Sequence, residues 1–144
     1  MIQKQNITLR PFRGSDGPEL VKILERNNQY GYPDIEGIAA MKRVASCDAA
    51  IFLVAENEQK PCGIIKGVYD GSRALIHLLT VHPEMKDSGI GSMLIEAFRE
   101  ECKSRGALNL SVTVTEESAG FCEKQGFKAL PVFLMIQEFI EETN

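Results

Sequence analysis

The chain has 144 residues, a length typical of a single domain that holds one sheet with helices packed on it. Hydrophobic residues make up 44% of the chain and charged residues 25%, an ordinary globular composition that argues against disorder. The formal net charge of -4 gives no support to nucleic-acid binding. We therefore expect one domain, residues 1–144, with no nucleic-acid partner.

Membrane and metal partners are also disfavoured. Residues 1–10 lack the apolar core of a signal peptide, and no stretch approaches the ~18 apolar residues of a membrane span. The 4 cysteines include no Cys-x-x-Cys pair, and the 2 histidines have no nearby cluster of further ligands. We expect a cytoplasmic protein with reduced thiols, no metal and no membrane contact. The sequence leaves monomer and homodimer open.

Alternating or continuous apolar runs predict strands along the chain. They cover residues 7–10, 51–55, 62–69, 74–81, 108–114 and 132–139. Helical spacing of apolar residues predicts helices between them. One helix begins after a cap at Ser15 or Asp16, and the others cover residues 34–46, 92–105 and 118–125. The order β-α-α-β-β-β-α-β-α-β predicts an α/β fold with a mixed sheet and helices on both faces.

A glycine turn joins the strand at residues 74–81 to the helix at 92–105. Its Gly89 and Gly91 permit positive φ and close approach of a ligand, and the first amides of a helix have no partner inside it. Such amides bind phosphate. A P-loop and a dinucleotide fingerprint are both excluded, because Ser92-Met93-Leu94 supplies neither a Lys-Ser/Thr pair nor a third glycine. An ordinary glycine-containing connection remains open.

Two stretches carry a resemblance to a known family. Leu79-Thr80-Val81 followed by Lys86-Asp87-Ser88-Gly89-Ile90-Gly91 resembles motif A of the GCN5-related N-acetyltransferases, with Lys86 in place of the usual Gln or Arg. Residues 119–127 resemble the family's last helix, which ends in Phe/Leu-Tyr-x-x-x-Gly-Phe, but Cys122 replaces the tyrosine. The predicted order of elements is also the family's. Within it, the chain is similar to small bacterial members of the ribosomal-protein alanine acetyltransferase type.

The resemblance implies an acetyl-CoA-dependent N-acetyltransferase whose sheet is splayed between the strands at 74–81 and 108–114. A primary amine of a small molecule, or of a peptide or protein N-terminus, would attack the thioester directly. Backbone groups would hold the pantetheine arm and pyrophosphate, and the Leu79 amide would polarise the thioester carbonyl. Lys86 would add charge, or would be only a solvated lysine. The implied coenzyme site comprises Leu79, Thr80, Val81, Lys86, Asp87, Ser88, Gly89, Ile90, Gly91 and Ser92.

The resemblance also implies two catalytic residues. His77 stands where the family often has a glutamate base, and an imidazole with a pKa of about 6.5 suits proton uptake through water at neutral pH. Its alternative is a satisfied histidine in a buried strand. Cys122 stands where the family's tyrosine is proposed to protonate the leaving thiolate. Its alternative is packing beside Phe121 and Phe127.

The acceptor is less constrained by the sequence. Tyr69, Asp70 and Arg73 precede the strand at 74–81 and are predicted to face the acceptor, with Arg73 binding a carboxylate. Alternatively, Arg73 and Asp70 form a surface ion pair. Two competing functions also remain open at this point. One is a non-catalytic acyl-CoA-binding module, in which the missing tyrosine marks lost chemistry, and the other is an interaction protein that uses only the scaffold.

Overall fold

The structure, a computed structural model, describes residues 6–139. They form two compact units, one ending at Val112 and the other beginning at Thr113. The first unit contains a five-stranded sheet whose strands lie side by side in chain order. Its strands are β1 (Ile7–Pro11), β2 (Ala50–Asn57), β3 (Lys60–Tyr69), β4 (Ala74–Val81) and β5 (Ser111–Val112). The first four are antiparallel and β5 is parallel to β4, so the predicted mixed sheet is confirmed.

Helices cover both faces of this sheet, as predicted. They are α1 (Gly17–Arg26), α2 (Pro33–Glu36), α3 (Ile38–Ala45) and α4 (Ile90–Ser104). On one face, α1 and α3 pack on β2 and β3 in a core of Leu20, Ile23, Leu24, Met41, Phe52, Val54 and Ile64. On the other face, α4 approaches β3 closely at Gly63, where an added Cβ would lie 3.3 Å from Leu94. The second unit contains α5 (Glu116–Lys124).

Gly67 of β3 is a second place where α4 packs closely on the sheet. A Cβ at this position would collide with the Leu75 carbonyl and lie 2.8 Å from the buried ring of Phe98. Only a residue without a side chain therefore fits.

A β-bulge in β4 lies directly beside Gly67. Gly67 pairs with Ile76, whereas its neighbour Lys66 pairs with Leu78, so His77 has no partner of its own. The extra residue of a bulge bends its strand and increases the local twist. The shape of β4 therefore changes at His77.

The strand predicted over residues 108–114 is wrong in its extent, because β5 contains only two residues. Leu108 is 98% exposed and Val114 is also exposed. β5 pairs with Leu75 and Ile76 of β4, and the pairing stops there. Since the bulge bends β4 immediately after Ile76, a neighbouring strand loses its hydrogen-bond register at that point.

The strand predicted over residues 132–139 is wrong. These residues of the second unit form no regular secondary structure. Large apolar side chains of this segment are exposed: Val132, Phe133, Leu134, Met135, Ile136 and Phe139. β-branched and aromatic residues form a strand only beside a paired neighbour, which a sequence pattern does not supply. Within residues 6–139, the predicted order of elements therefore ends at α5.

Two smaller predictions also need correction. The helix predicted over residues 34–46 is interrupted at Gly37, which takes an extended conformation between α2 and α3.

Asp16 stands at the cap position of α1, but its carboxylate makes no cap hydrogen bond with that helix. It instead accepts two hydrogen bonds of 2.8 Å from Arg10. The carboxylate also accepts a hydrogen bond of 2.8 Å from the Arg13 amide, so it binds residues that precede α1 and not the amides of α1 itself.

Candidate active site

The edge of β4 is open over its second half. On one side β4 pairs with β3 from Ala74 to Val81, except at the bulge residue His77. On the other side only Leu75 and Ile76 have partners, in β5. Residues 77–81 therefore have no strand beside them on that side, in the part of the chain that the structure describes. Such an edge offers backbone N–H and C=O groups to an extended ligand.

The loop after β4 is tightly wound. Asp87 and Gly89 both have left-handed backbone conformations, with φ of 66° and 89°. The hydroxyl of Ser88 donates a hydrogen bond to the carbonyl of Met85, which closes the loop. Left-handed residues in such a loop turn successive amides towards one side, the geometry of an anion-binding concavity. Asp87 and Gly89 are suited to these conformations, because Asp and Gly tolerate positive φ best.

The start of α4 follows this loop directly. Its first helical hydrogen bond runs from the Met93 amide to the Gly89 carbonyl, at 3.0 Å. The amides of Ile90 and Gly91 precede that bond, so they have no acceptor inside the helix. Lys86, before the loop, has an exposed side chain. The strand edge, a short 3₁₀ helix at Pro83–Met85, the loop and the start of α4 thus follow one another along the chain.

The Thr80 side chain makes its hydrogen bonds on the face of the sheet that α1 covers. It is buried, accepts a hydrogen bond of 2.7 Å from the Asn27 amide and donates one of 2.5 Å to Gln29. Asn27 also donates to the Val81 carbonyl, at 2.9 Å. These bonds tie the end of α1 to β4. They leave only the main chain of Thr80 for a ligand at the open edge, where Leu79 is half-buried.

His77 is the first residue of β4 beyond the last pair with β5. Its side chain is exposed, so the alternative of a histidine enclosed in a buried strand does not describe it. Partial desolvation lowers the pKa of His77 below 6.5, the positive charge of Lys66 lowers it further, and Glu36 acts in the opposite direction. The imidazole is therefore neutral at pH 7 and able to accept a proton.

Lys66 and Glu36 are neighbours of this histidine that the sequence analysis missed. Lys66 lies on β3 and is only 6% exposed. Its Nζ is 3.2 Å from Oε2 of Glu36 and 5.9 Å from the centre of the Phe52 ring. A lone lysine inside the apolar run at residues 62–69 was the available signal. Glu36 had none, because its approach depends on how α2 packs on the sheet.

The predicted acceptor residues lie at the other end of β4. The Asp70 carboxylate accepts hydrogen bonds of 2.8 Å from the amides of Ser72 and Arg73, which lower its pKa. This turn, rather than an ion pair with the Arg73 side chain, organises the loop. Arg73 is four residues before His77, about 13 Å along an extended strand. Tyr69, Asp70 and Arg73 therefore precede the paired half of β4 and do not lie on its open edge at residues 77–81.

Cys122 belongs to the second unit. It lies on α5, which begins with a capping box of Thr115 and Ser118 and ends before Gly126, a glycine with φ of 97°. The side chain is buried, and burial raises the pKa of its thiol. Cys122 is therefore protonated at neutral pH, the state that a proton donor needs.

Two kinds of site are missing from residues 6–139. In that range no three His, Cys, Asp or Glu side chains gather closely enough to hold a metal ion. None of the helices found there has the length and apolar character that crossing a membrane requires.

A family model described as an acetyltransferase (GNAT) domain matches residues 48–129. This match spans β2 to α5, including the open edge of β4 and the glycine turn. Because it covers more than half of the chain, the protein belongs to the GNAT acetyltransferase family.

Solved structures support the fold. A transcriptional regulator from Bacillus halodurans C-125 is 25% identical, with a TM-score of 0.79 over 92% of this chain and 99% of that one. The PaiA N-acetyltransferase from Thermoplasma acidophilum, in complex with coenzyme A, is 19% identical, with a TM-score of 0.77 over 88% and 92%. A glucosamine-6-phosphate N-acetyltransferase from Arabidopsis thaliana is 18% identical, with a TM-score of 0.75 over 93% and 99%. At such identities the last two show the fold alone.

Proposed function

We propose that the protein transfers the acetyl group of acetyl-CoA to a primary amine of a small molecule, or of a peptide or protein N-terminus. One observation carries the proposal. The unpaired edge of β4 at residues 77–81 leads, through a short 3₁₀ helix at Pro83–Met85, into the glycine turn and the first amides of α4. This arrangement offers a strand edge to the extended pantetheine arm and amides to the pyrophosphate.

Backbone groups account for the proposed coenzyme site. We assign the binding of the pantetheine arm to backbone groups of Leu79 and Val81. The Val81 carbonyl already accepts one hydrogen bond from Asn27, so only its second lone pair is open to the ligand. The Leu79 amide polarises the thioester carbonyl, which gains negative charge as the amine attacks. Amides of residues 87–92 hold the pyrophosphate, and the exposed ammonium of Lys86 adds positive charge beside it.

Two side chains account for the proposed proton transfers. The amine nitrogen forms a bond to the acetyl carbon, and the bond from that carbon to the coenzyme sulfur breaks. His77 accepts the proton of the attacking ammonium through a water molecule, since its neutral imidazole is available at pH 7. Cys122 donates a proton to the leaving thiolate through a second water, because its side chain is shorter than a tyrosine's. Its protonated state at neutral pH supports this role.

The acceptor is proposed only as a class. Primary amines fit the direct-attack chemistry, and the acceptor named for the Arabidopsis thaliana protein, glucosamine 6-phosphate, carries one. The finer similarity to ribosomal-protein alanine acetyltransferases stays a prediction. The cytoplasmic location, the monomeric or dimeric state and the absence of nucleic-acid or membrane partners stay predictions too.

Cys122 also favours a second candidate function, a non-catalytic module that binds acyl-CoA. In that case the residue that replaces the family's tyrosine marks lost chemistry, whereas the glycine turn still binds ligand. Both candidates predict a higher melting temperature in the presence of acetyl-CoA, because a ligand that binds only the folded state stabilises it.

Release of free thiol from acetyl-CoA separates the two candidates. The purified protein is incubated with a panel of primary amines and peptides, and thiol is followed against protein without acceptor. Turnover of any acceptor above background hydrolysis decides for the enzyme. Stabilisation by acetyl-CoA without turnover of any acceptor decides for the binding module.

A further inference from the structure

The buried ion pair between Lys66 and Glu36 has no explanation in the fold alone. The Lys66 side chain lies on the central strand β3 and carries a full charge into a nearly dry environment. Among residues 6–139, the ion pair found for Lys66 is the 3.2 Å approach to Oε2 of Glu36, whose own side chain is 23% exposed.

Stability gives no reason for a lysine at this position. Removing two charges from water costs several kcal/mol for each ion, and the attraction between them often does no more than offset that cost. A well-packed apolar residue of similar volume is commonly as stabilising or more so. The neighbouring positions of β3 on this face hold such residues, among them Ile64 in the core cluster. The charge of Lys66 therefore points to a role other than packing.

The position of the pair suggests that role. Lys66 is opposite Leu78 in the β3–β4 register, and His77 is the unpartnered bulge residue directly before Leu78. The bulge thus sets His77 beside Lys66 at the point where the edge of β4 becomes open. Two charged groups change the pKa of His77: Lys66 on β3 lowers it, and Glu36 on α2 raises it. The neighbouring strand β5 contributes Ser111 and Val112, which carry no charge.

We propose that Lys66 and Glu36 are positioning residues for His77. The buried ammonium of Lys66 keeps the imidazole in its neutral, proton-accepting form, and the Glu36 carboxylate holds that ammonium in place. The pair is an electrostatic support for the proton acceptor, and neither member touches the reacting atoms. This inference rests on the proposed function for what His77 does with its proton, but the electrostatic relationship can be measured without turnover.

The proposal predicts shifts of opposite sign for the two partners. Lys66→Met removes a positive charge beside the imidazole, so the pKa of His77 rises. Glu36→Gln removes a negative charge and leaves Lys66 unneutralised, so the pKa of His77 falls. Removing one charge beside a partly solvated imidazole is expected to shift its pKa by about half a unit or more. A merely structural role gives no such sign difference, because both variants loosen the same contact.

Proton NMR of the imidazole rings measures this directly in the full chain without acetyl-CoA. The chain has 2 histidines, so His82→Gln assigns the His77 signal. The titration is recorded for the parent protein, Lys66→Met and Glu36→Gln. Lys103→Met is the matched control, since it breaks the exposed ion pair with Glu100 on α4 and is expected to leave the His77 titration unchanged.

An unchanged pKa in Glu36→Gln, or shifts of the same sign in both variants, overturns the inference. Glu36→Gln keeps size and hydrogen bonding, so it decides alone if Lys66→Met fails to fold. The acidic limb of kcat/KM is expected to move with the NMR titration, and Lys66→Arg, which keeps the charge, is expected to restore the parent profile. If the protein turns over an acceptor but the two variants do not shift the His77 pKa in opposite directions, the inference about Lys66 and Glu36 is wrong and the proposed function stands. Opposite shifts without turnover of any acceptor contradict the proposed function and leave the electrostatic pair intact.

Discussion

Ile76 of β4 and Val112 of β5 form the last pair between these two strands, and the bulge residue His77 follows directly. The end of pairing and the position of the proposed proton acceptor therefore coincide. A bulge re-aims a side chain and ends pairing at the same time, and such bulges are common beside active sites. One inserted residue thus accounts both for the open edge and for the placement of the histidine at its start.

The first prediction concerns His77. We expect His77→Ala to slow turnover by ~10²-fold or more and to flatten the acidic limb of kcat/KM. In the parent enzyme that limb lies below pH 6.5, because desolvation and Lys66 lower the pKa of His77. Activity falls as the pH drops through this pKa, since the protonated imidazole accepts no proton. His82→Ala is the control, and an unchanged profile in His77→Ala would show that the amine loses its proton to bulk solvent.

The second prediction concerns the glycine turn. Gly91→Glu places a side chain and a negative charge beside the proposed pyrophosphate site at the start of α4. Like-charge contact costs several kcal/mol, so we expect the affinity for coenzyme A to fall by ~10²-fold or more. Calorimetric titration measures it. Gly31→Glu adds the same charge where an added Cβ meets nothing within 4 Å, and we expect parent affinity there. If Gly91→Glu binds coenzyme A with the affinity of the parent protein, the glycine turn is not part of the coenzyme site.

The third prediction concerns Cys122. If its thiol protonates the leaving group, Cys122→Ala lowers kcat by ~10²-fold with little change in affinity for acetyl-CoA. Cys122→Tyr retains or raises activity, since it restores the family's residue. Burial raises the pKa of the thiol, so the parent enzyme loses activity only at alkaline pH. An alanine variant that turns over at the parent rate throughout the alkaline range would assign the proton to bulk water.

The fourth prediction concerns stability near α1. Burial raises the pKa of Asp16, but hydrogen bonds from Arg10 and from the Arg13 amide outweigh it and hold this pKa below its ordinary value. A depressed carboxyl pKa contributes stability above the unfolded-state value and loses it as the pH falls through the folded-state value. We therefore expect Asp16→Asn to lower the free energy of unfolding by about 2 kcal/mol at pH 7 and by less below about pH 3.

Urea denaturation at the two pH values tests the Asp16 prediction. Glu84→Gln is the control, because the Glu84 side chain is 74% exposed and its ion pair with Arg26 spans 3.5 Å. Exposed pairs of this kind contribute roughly 0–1 kcal/mol. If Asp16→Asn lowers the free energy of unfolding by the same amount at both pH values, the ionised Asp16 carboxylate is not the source of the stability.

The sequence by itself determined the elements whose signals are local. The strand at residues 74–81 has the predicted bounds, because an apolar run lies between a turn at Asp70-Gly71 and His82-Pro83. The helix after Gly89 was predicted to within two residues for a similar reason, since glycines and apolar spacing mark its ends. The resemblance to the family also came from such contiguous motifs.

Only the tertiary structure decided how these elements meet. The two-residue length of β5, the bulge at His77 and the unpaired segment at 132–139 depend on which strands become neighbours and in which register. The approach of Glu36 to Lys66 joins residues 30 positions apart, from an α2 helix that the sequence did not separate from α3. Strand pairing and ion pairing are non-local, so apolar patterns and propensities along the chain do not encode them individually.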